Sequence, residues 1–224
     1  MRTDNEIQLD VTQELKWDPR LQEDDIAVAV RGGVVTLGGY TKSYSDKVTA
    51  ETLVSHIHGV QAVANDIAVR LPSASARPDP EIARAALHAL TWHTSVPDDQ
   101  LQLVVEAGWV KLTGQVDWYY QKEEAEHAIR VLQGVRGVTN LVTVKPRPTA
   151  TDVKMKIAAA LQRGVAFDAA HINVETVDHK ATLTGAVRSF VEKRDAERAA
   201  LNAQGVTEVD NRLTVEPYAL ATVL

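Results

Sequence analysis

Residues 134–142 read Gly-Val-Arg-Gly-Val-Thr-Asn-Leu-Val, and this stretch decides the fold because it recurs at fixed spacing. Its counterparts are Gly-Val-Gln-Ala-Val-Ala-Asn-Asp-Ile at 59–67 and Gly-Val-Thr-Glu-Val-Asp-Asn-Arg-Leu at 205–213. Shifts of 75 and 71 residues superpose the three stretches, and the residues around them align without an internal gap. Self-similarity at a fixed spacing is typical of tandem structural units. The sequence therefore predicts three copies of one module, at 4–72, 79–147 and 150–218.

The middle copy shows the predicted helices most clearly. Ile82, Ala86 and Leu90 recur at helical spacing, which predicts a first helix with one apolar face. Asp79 is predicted to be its N-cap, because the next residue is a proline and aspartate is a favoured cap. A second helix is predicted from about Tyr119 to Gln133. Capping boxes are predicted for the second helices of the other copies, formed by Ser43 with Asp46 and by Ser189 with Glu192.

The strands of the middle copy lie between and after these helices. Alternating residues at 101–105 and 109–113, joined by a turn at Ala107-Gly108, predict a β-hairpin. A last strand is predicted at 138–144. The order is α-β-β-α-β, so we predict an α+β fold. Each module is expected to be a three-stranded sheet covered on one face by two helices.

Two further motifs accompany the repeated stretch. The second hairpin strand ends in Val-Lys-Leu-Thr-Gly at 110–114, with the counterparts Val-Thr-Leu-Gly-Gly at 35–39 and Ala-Thr-Leu-Thr-Gly at 181–185. The second helices carry spaced alanines, which include Ala50, Ala125 and Ala196. Taken together, these motifs resemble the signature of the BON domain family. The resemblance covers almost the whole chain and is in register in all three copies.

The resemblance implies a function as well as a fold. It implies an association with bacterial osmotic or envelope stress, and binding of a phospholipid membrane surface or another envelope component. The family offers no catalytic residues to carry over and implies no cofactor. We therefore expect a non-enzymatic binding protein.

Composition argues against nucleic acid as a partner. The formal net charge is −6. The three copies contain 11 acidic against 6 basic residues, 9 against 7, and 10 against 9, so their net charges are −5, −2 and −1. Proteins that bind nucleic acid normally present a basic patch to the phosphates. None of the copies is basic overall.

The sequence also lacks the residues that several kinds of chemistry require. The chain has no cysteine, and it contains neither a Gly-x-Ser-x-Gly nor a His-Glu-x-x-His motif. No stretch approaches the roughly 18 apolar residues of a membrane span. We expect a cytoplasmic protein if Met1 is the native start, and a periplasmic protein if a signal peptide has been removed.

Two sets of repeated polar or small residues are predicted to be structural. Gly39, Gly114 and Gly185 lie where the second strand should end, so close packing or a positive φ is expected there. Asn65, Asn140 and Asn211 are expected to form side-chain hydrogen bonds to a nearby turn.

The aromatic residues are the main candidates for contact with a partner. Trp109 is predicted to lie on the outer face of the sheet and to be at least partly exposed. Trp118, Tyr120 and the neighbouring Lys122 combine amphipathic rings with a cation, as residues at a membrane interface do. Packing between modules or in a homo-oligomer, lipid contact, and ligand stacking remain open for these residues. The aligned residues Tyr44, Tyr119 and Phe190 are predicted to be core or staple residues.

Acidic residues suggest an alternative. Cation-site candidates are Asp24 and Asp25 in the first copy and Asp98 and Asp99 in the second, although a solvated acidic loop is the favoured interpretation. They motivate the second hypothesis, a soluble sensor or carrier of a small ligand or cation. A third hypothesis is a protein-interaction scaffold. The seven histidines have no metal-ligand spacing, so no metal site is predicted.

Overall fold

The structure, a computed structural model, describes residues 2–21, 25–146, 153–163, 172–203 and 205–216. Module 1 consists of α1 (Asp4–Trp17), β1 (Asp25–Arg31), β2 (Val34–Thr41), α2 (Tyr44–Ser55), β3 (Ala62–Asn65) and β4 (Ala68–Val69). Module 2 consists of α3 (Asp79–Trp92), a short 3₁₀ helix (Asp98–Gln100), β5 (Leu101–Glu106), β6 (Trp109–Val116), α4 (Tyr119–Arg130), β7 (Gly137–Asn140) and β8 (Thr143–Val144). Module 3 consists of α5 (Val153–Arg163), β9 (Ile172–Val177), β10 (Lys180–Val187), α6 (Phe190–Leu201) and β11 (Glu208–Val215).

The second hairpin strand is the central strand of every sheet. In module 1, β2 pairs antiparallel with β1 and parallel with β3 and β4. The same pattern joins β6 to β5, β7 and β8, and joins β10 to β9 and β11. A parallel pair needs a crossover connection, and the second helix of each module supplies it. The predicted α+β fold, with three repeated modules and a small mixed sheet in each, is confirmed.

The third strand is interrupted in modules 1 and 2 and continuous in module 3. In module 2 the interruption falls between Asn140 and Thr143, where a single strand is predicted. The Leu141 N–H donates to the Leu112 carbonyl at 2.9 Å, and the Val142 N–H donates to the Asn140 side chain at 3.2 Å. The Asn140 side chain thus binds the backbone between the two parts of the strand, as Asn211 does within the continuous strand of module 3.

The prediction for Asp79 is wrong in its detail. The N-cap of α3 is Pro78, and Asp79 is the first helical residue. Its carboxylate instead accepts hydrogen bonds from the backbone N–H groups of Ala107 and Gly108, at 2.8 and 2.9 Å. The hairpin turn presents two adjacent donors in a positive-φ conformation, which suits a carboxylate better than one helical N–H.

Module 1 uses the same carboxylate contact. Asp4 accepts from the N–H groups of Gly32 and Gly33 at 2.7 and 3.0 Å. These two bonds hold the pKa of Asp4 below its ordinary value. The first helix is therefore tied to the hairpin turn in both modules.

One half of each predicted capping box is confirmed, namely the hydrogen bond that the serine side chain accepts. Ser43 accepts from the Asp46 N–H at 3.0 Å and Ser189 accepts from the Glu192 N–H at 3.2 Å. The Glu192 carboxylate accepts from the Arg188 N–H, one residue before the cap. In module 2 the second helix ends at Arg130, three residues before its predicted end.

Each module closes its own hydrophobic core. The central strands contribute Leu37, Leu112 and Leu183, all 0% exposed. The second helices contribute Ala50, Ala125 and Ala196, and the first helices contribute Ile7, Ile82 and Val153, all buried. These positions coincide under the shifts of 75 and 71 residues, so one packing arrangement occurs three times.

Candidate functional site

The structure does not bring the predicted aromatic contact residues together. Trp109 is the first residue of β6, at the hairpin turn, whereas Trp118 and Tyr120 lie beyond the other end of that strand. A strand rises about 3.3 Å per residue, so Trp109 and Val116 are separated by about 23 Å. These rings therefore do not form one surface.

Trp109 has a structural contact of its own. Its side chain is 54% exposed, and it pairs with Gly137 in the parallel register of β6 and β7. A Cβ atom at Gly137 would lie 2.2 Å from Cζ3 of the Trp109 ring. The ring thus covers the backbone of a buried glycine and leaves its outer part exposed.

The other three predicted contact residues lie at the start of α4. Trp118 is half-buried at the N-cap, and the Gln121 side chain accepts from its N–H and from that of Asp117, both at 3.0 Å. Tyr120 is 44% exposed. Lys122 lines a cleft of about 670 Å³ that is bordered by α2, α4 and α6, one helix from each module. Lys122 is thus directed to a different surface from Tyr120.

The three repeated glycines lie two residues before the end of their strands. Their φ angles are +96° for Gly39, +131° for Gly114 and +124° for Gly185. A Cβ atom at Gly39 would lie 1.9 Å from the Asp25 carbonyl oxygen, and one at Gly114 would lie 2.2 Å from the Gln100 carbonyl oxygen. The positive φ favours glycine at all three positions, and the close approach excludes a larger residue at Gly39 and Gly114.

The repeated asparagines form one network three times. The Asn140 side chain donates to the Lys122 carbonyl at 2.8 Å and to the Glu126 carboxylate at 3.2 Å. Equivalent bonds join Asn65 to Lys47 and Glu51, and join Asn211 to Lys193 and Glu197. Each asparagine oxygen also accepts from the N–H two residues on. The predicted bond to a nearby turn is confirmed, and the network additionally fastens the third strand to the second helix.

The acidic candidates are not grouped around a common point. Asp24 lies outside the described residues, and Asp25 is the first residue of β1. Asp98 accepts from the Thr91 hydroxyl at 2.7 Å, and Asp99 is exposed beside it. Within the described ranges, no three His, Cys, Asp or Glu residues lie close enough together to hold a metal ion.

Tyr44, predicted to be a core or staple residue, does pack against a hydrophobic core, but not against that of its own module. Its ring packs against the core of module 2, and its hydroxyl is hydrogen-bonded to the backbone of Val138. Burial raises the pKa of the Tyr44 hydroxyl above its ordinary value. Alignment of the repeats shows that Tyr44 and Tyr119 are equivalent, but it does not show which core either one contacts.

Sequence reasoning missed the most exposed tryptophans. Trp17 is 83% exposed and Trp92 is 75% exposed, and each is the last residue of the first helix of its module. They coincide under the shift of 75 residues. The signal was present in the spacing, since each follows the last buried residue of its helix, Leu15 or Leu90, by two positions. Two positions turn a helix by about 200°, which directs the ring away from the core.

The surroundings of the two exposed rings are polar. Trp17 is preceded by the exposed Lys16, and the nearby Asp18 carboxylate is bonded to the Arg20 guanidinium at 2.9 Å. That bond holds the pKa of Asp18 below its ordinary value. Trp92 contacts the His88 ring, with 5.5 Å between the ring centroids. A carboxylate lies near each helix end, since Asp18 follows Trp17 and Asp98 accepts from the hydroxyl of Thr91, next to Trp92.

The repeated modules, each with its own core and mixed sheet, define the chain as a tandem-module α+β protein. Among the described residues, no helix combines the length and the apolar character needed to cross a membrane. The chain belongs to the BON domain family, which matches residues 3–70, 78–146 and 149–217. This family is not known for enzymatic activity.

A curated relative and two solved structures are similar to the chain. Osmotically-inducible protein Y of Escherichia coli K12 is 28% identical over 146 residues, which cover 60% of this chain and 71% of that protein. The C-terminal domain of CdsD, a structural protein of the type III secretion system of Chlamydia trachomatis, is 15% identical, with a TM-score of 0.27 over 97% of this chain and 100% of that chain. A second CdsD structure gives a TM-score of 0.28 over 94% and 92% of the two chains. Scores this low carry no argument for the present chain.

Proposed function

We propose that the protein is a non-enzymatic BON-type binding protein that attaches to phospholipid membrane surfaces through Trp17 and Trp92. One observation carries the proposal: the same helix end presents an almost fully exposed indole in two successive modules. Recurrence of a large exposed aromatic side chain at an equivalent position favours a shared role for the two rings in contacting a partner. Indole rings prefer the headgroup region of a bilayer, because one edge is polar and the rest is apolar.

The size of the expected effect follows from the exposed area. Burying a large apolar side chain contributes about 1.5–3 kcal/mol. A gain of about 1.4 kcal/mol corresponds to a tenfold change in affinity. A single anchor of this size gives weak, reversible binding, whereas two anchors in one chain reinforce each other. Attachment should therefore depend on both rings.

Charge decides which membranes the protein should prefer. The net charge of −6 opposes attraction to anionic lipids, which recruit proteins through basic clusters. The proposed attachment is apolar, so it should occur on zwitterionic vesicles and should change little with salt. A role in osmotic stress is part of the proposal, and it is supported by the similarity to osmotically-inducible protein Y.

Co-sedimentation with phosphatidylcholine vesicles tests this proposal, and vesicles with added phosphatidylglycerol test the role of charge. We expect Trp17→Ala and Trp92→Ala each to weaken binding roughly tenfold, and the double variant roughly a hundredfold. Trp109→Ala is the matched control, because its ring is also exposed but lies on the sheet and covers Gly137.

The control should bind as the parent chain does. Absence of binding to both kinds of vesicle would exclude the proposed function. Full binding by the double variant would show that other residues carry the attachment.

A further inference from the structure

Tyr44 is part of module 1 in the sequence, but its side chain contacts module 2. It is the first residue of α2, yet its ring packs against the core cluster of module 2, where Leu103, Val105 and Val138 also pack. Its hydroxyl is bonded to the backbone of Val138 in β7. The ring therefore occupies a surface of the following module.

The accepting surface of module 2 suits a tyrosine for a physical reason. In the strand order β5-β6-β7, β7 lies at the edge of the sheet, so one side of its backbone is free of ladder hydrogen bonds. A buried tyrosine needs a partner for its hydroxyl, and an edge strand provides one. Glu126 and Arg130 of α4 are charged groups of module 2 that act electrostatically on this hydroxyl.

Tyr119, the equivalent residue of module 2, lines the cleft bordered by α2, α4 and α6. The charged groups that act on its hydroxyl include Glu197 and Arg198 of module 3, and burial raises its pKa as it does for Tyr44. Glu197 is the counterpart of Glu126 under the shift of 71 residues. Both tyrosines thus lie near the same glutamate of the following module.

The same glutamate is held in place in both modules. Glu126 accepts from Asn140 and Glu197 accepts from Asn211, at 3.2 and 3.1 Å. A further contact joins modules 2 and 3, an ion pair in which the Arg198 guanidinium donates to Glu123 at 2.8 Å. Arg198 is 58% exposed, so this pair contributes little by itself.

We infer that the tyrosine at the start of the second helix is an inter-module docking residue, which packs against the following module near its asparagine-bound glutamate. Tyr44 docks module 1 on module 2, and Tyr119 docks module 2 on module 3. Phe190 holds the equivalent position in module 3 and has no hydroxyl to offer. The cleft bordered by α2, α4 and α6 is a product of this docking, since no single module supplies it.

Distances between spin labels in the full chain test this inference cleanly, because the protein has no cysteine of its own. One label pair, Arg31→Cys with Glu106→Cys, reports on modules 1 and 2. A second pair, Glu106→Cys with Glu175→Cys, reports on modules 2 and 3. All three positions are exposed.

Both pairs should give narrow distance distributions in the otherwise unchanged chain. Tyr44→Ala should broaden only the first distribution, and Tyr119→Ala should broaden only the second. Tyr44→Phe keeps the ring and loses the hydroxyl, so it should broaden the first distribution less than Tyr44→Ala does. Tyr120→Ala is the matched control, since this neighbouring ring is exposed and lies outside the cleft, and it should change neither distribution.

Circular dichroism of each variant verifies that the modules remain folded, as expected for Tyr44, which lies outside the core cluster of module 1. Narrow distributions that survive Tyr44→Ala and Tyr119→Ala would overturn the inference. Broad distributions for both pairs in the unsubstituted background would overturn it as well.

Discussion

Replacing Gly39 with alanine is expected to destabilise module 1 by about 2–4 kcal/mol. Gly39 has a φ of +96°, and a Cβ atom there would lie 1.9 Å from the Asp25 carbonyl oxygen. The neighbouring strand must therefore move, and part of the β1–β2 ladder must be lost. A module of this size has only a few kcal/mol of stability, so most of it should be lost.

Gly38 is the matched control for this substitution. It is adjacent to Gly39 in the same strand, and a Cβ atom there would meet nothing within 4 Å. Gly38→Ala should change stability by no more than about 0.5–1 kcal/mol. Native-state hydrogen exchange measures both variants module by module, which matters because a chain of several modules does not unfold in one step. Equal effects of the two substitutions would contradict the argument from backbone conformation.

Replacing Leu112 with alanine is expected to destabilise module 2 by about 2–5 kcal/mol. Leu112 is 0% exposed on the central strand β6, and it packs in the same cluster as Ala125 and Ile129 of α4. Truncation removes the transfer free energy of the side chain and leaves a cavity between the sheet and the helix. The loss should be confined to module 2, because each core is separate.

Val104→Ala serves as the control for Leu112, since Val104 is 62% exposed on the neighbouring strand. Its effect should stay within about 0.5 kcal/mol. Thermal unfolding followed by amide signals assigned to each module separates the two outcomes. Simultaneous destabilisation of all three modules by Leu112→Ala would contradict separate cores.

The fold was predictable because its determinants are local and occur three times. Spacing of apolar residues identified the helix faces, as the burial of Ile82, Ala86 and Leu90 confirms. Alternation on the hairpin placed Trp109 on the outer face, and the structure leaves it 54% exposed. Agreement among three copies compensated for the weakness of any single pattern.

Contacts between distant segments were not predictable in the same way. Asp79 is of a residue type that is favoured at N-caps. The hairpin turn 28 residues away nevertheless provides stronger donors for its carboxylate. Tyr44 was predicted to be a core or staple residue, but alignment of the repeats gives equivalent positions and not the module that each residue contacts. Local preference is overridden wherever a tertiary partner is better placed.

The type of residue in the candidate site was predicted, but the particular residues were not. Exposed aromatic rings were expected. Trp109, Trp118 and Tyr120 were predicted to provide them, because they lie close together in the sequence around one strand and one helix. Their placement at opposite ends of β6 separates them in space. Trp17 and Trp92 stand alone in the sequence, and only their helical position relative to the buried stripe reveals their exposure.

That every module closes its own hydrophobic core is tested most directly by producing residues 78–146 as a separate polypeptide. We predict a well-dispersed amide spectrum, slow exchange of the β6 amides, and one cooperative thermal transition. Weaker stability than in the full chain is expected, since Tyr44 no longer covers the edge of the sheet. A collapsed spectrum typical of an unfolded chain would contradict a self-contained module.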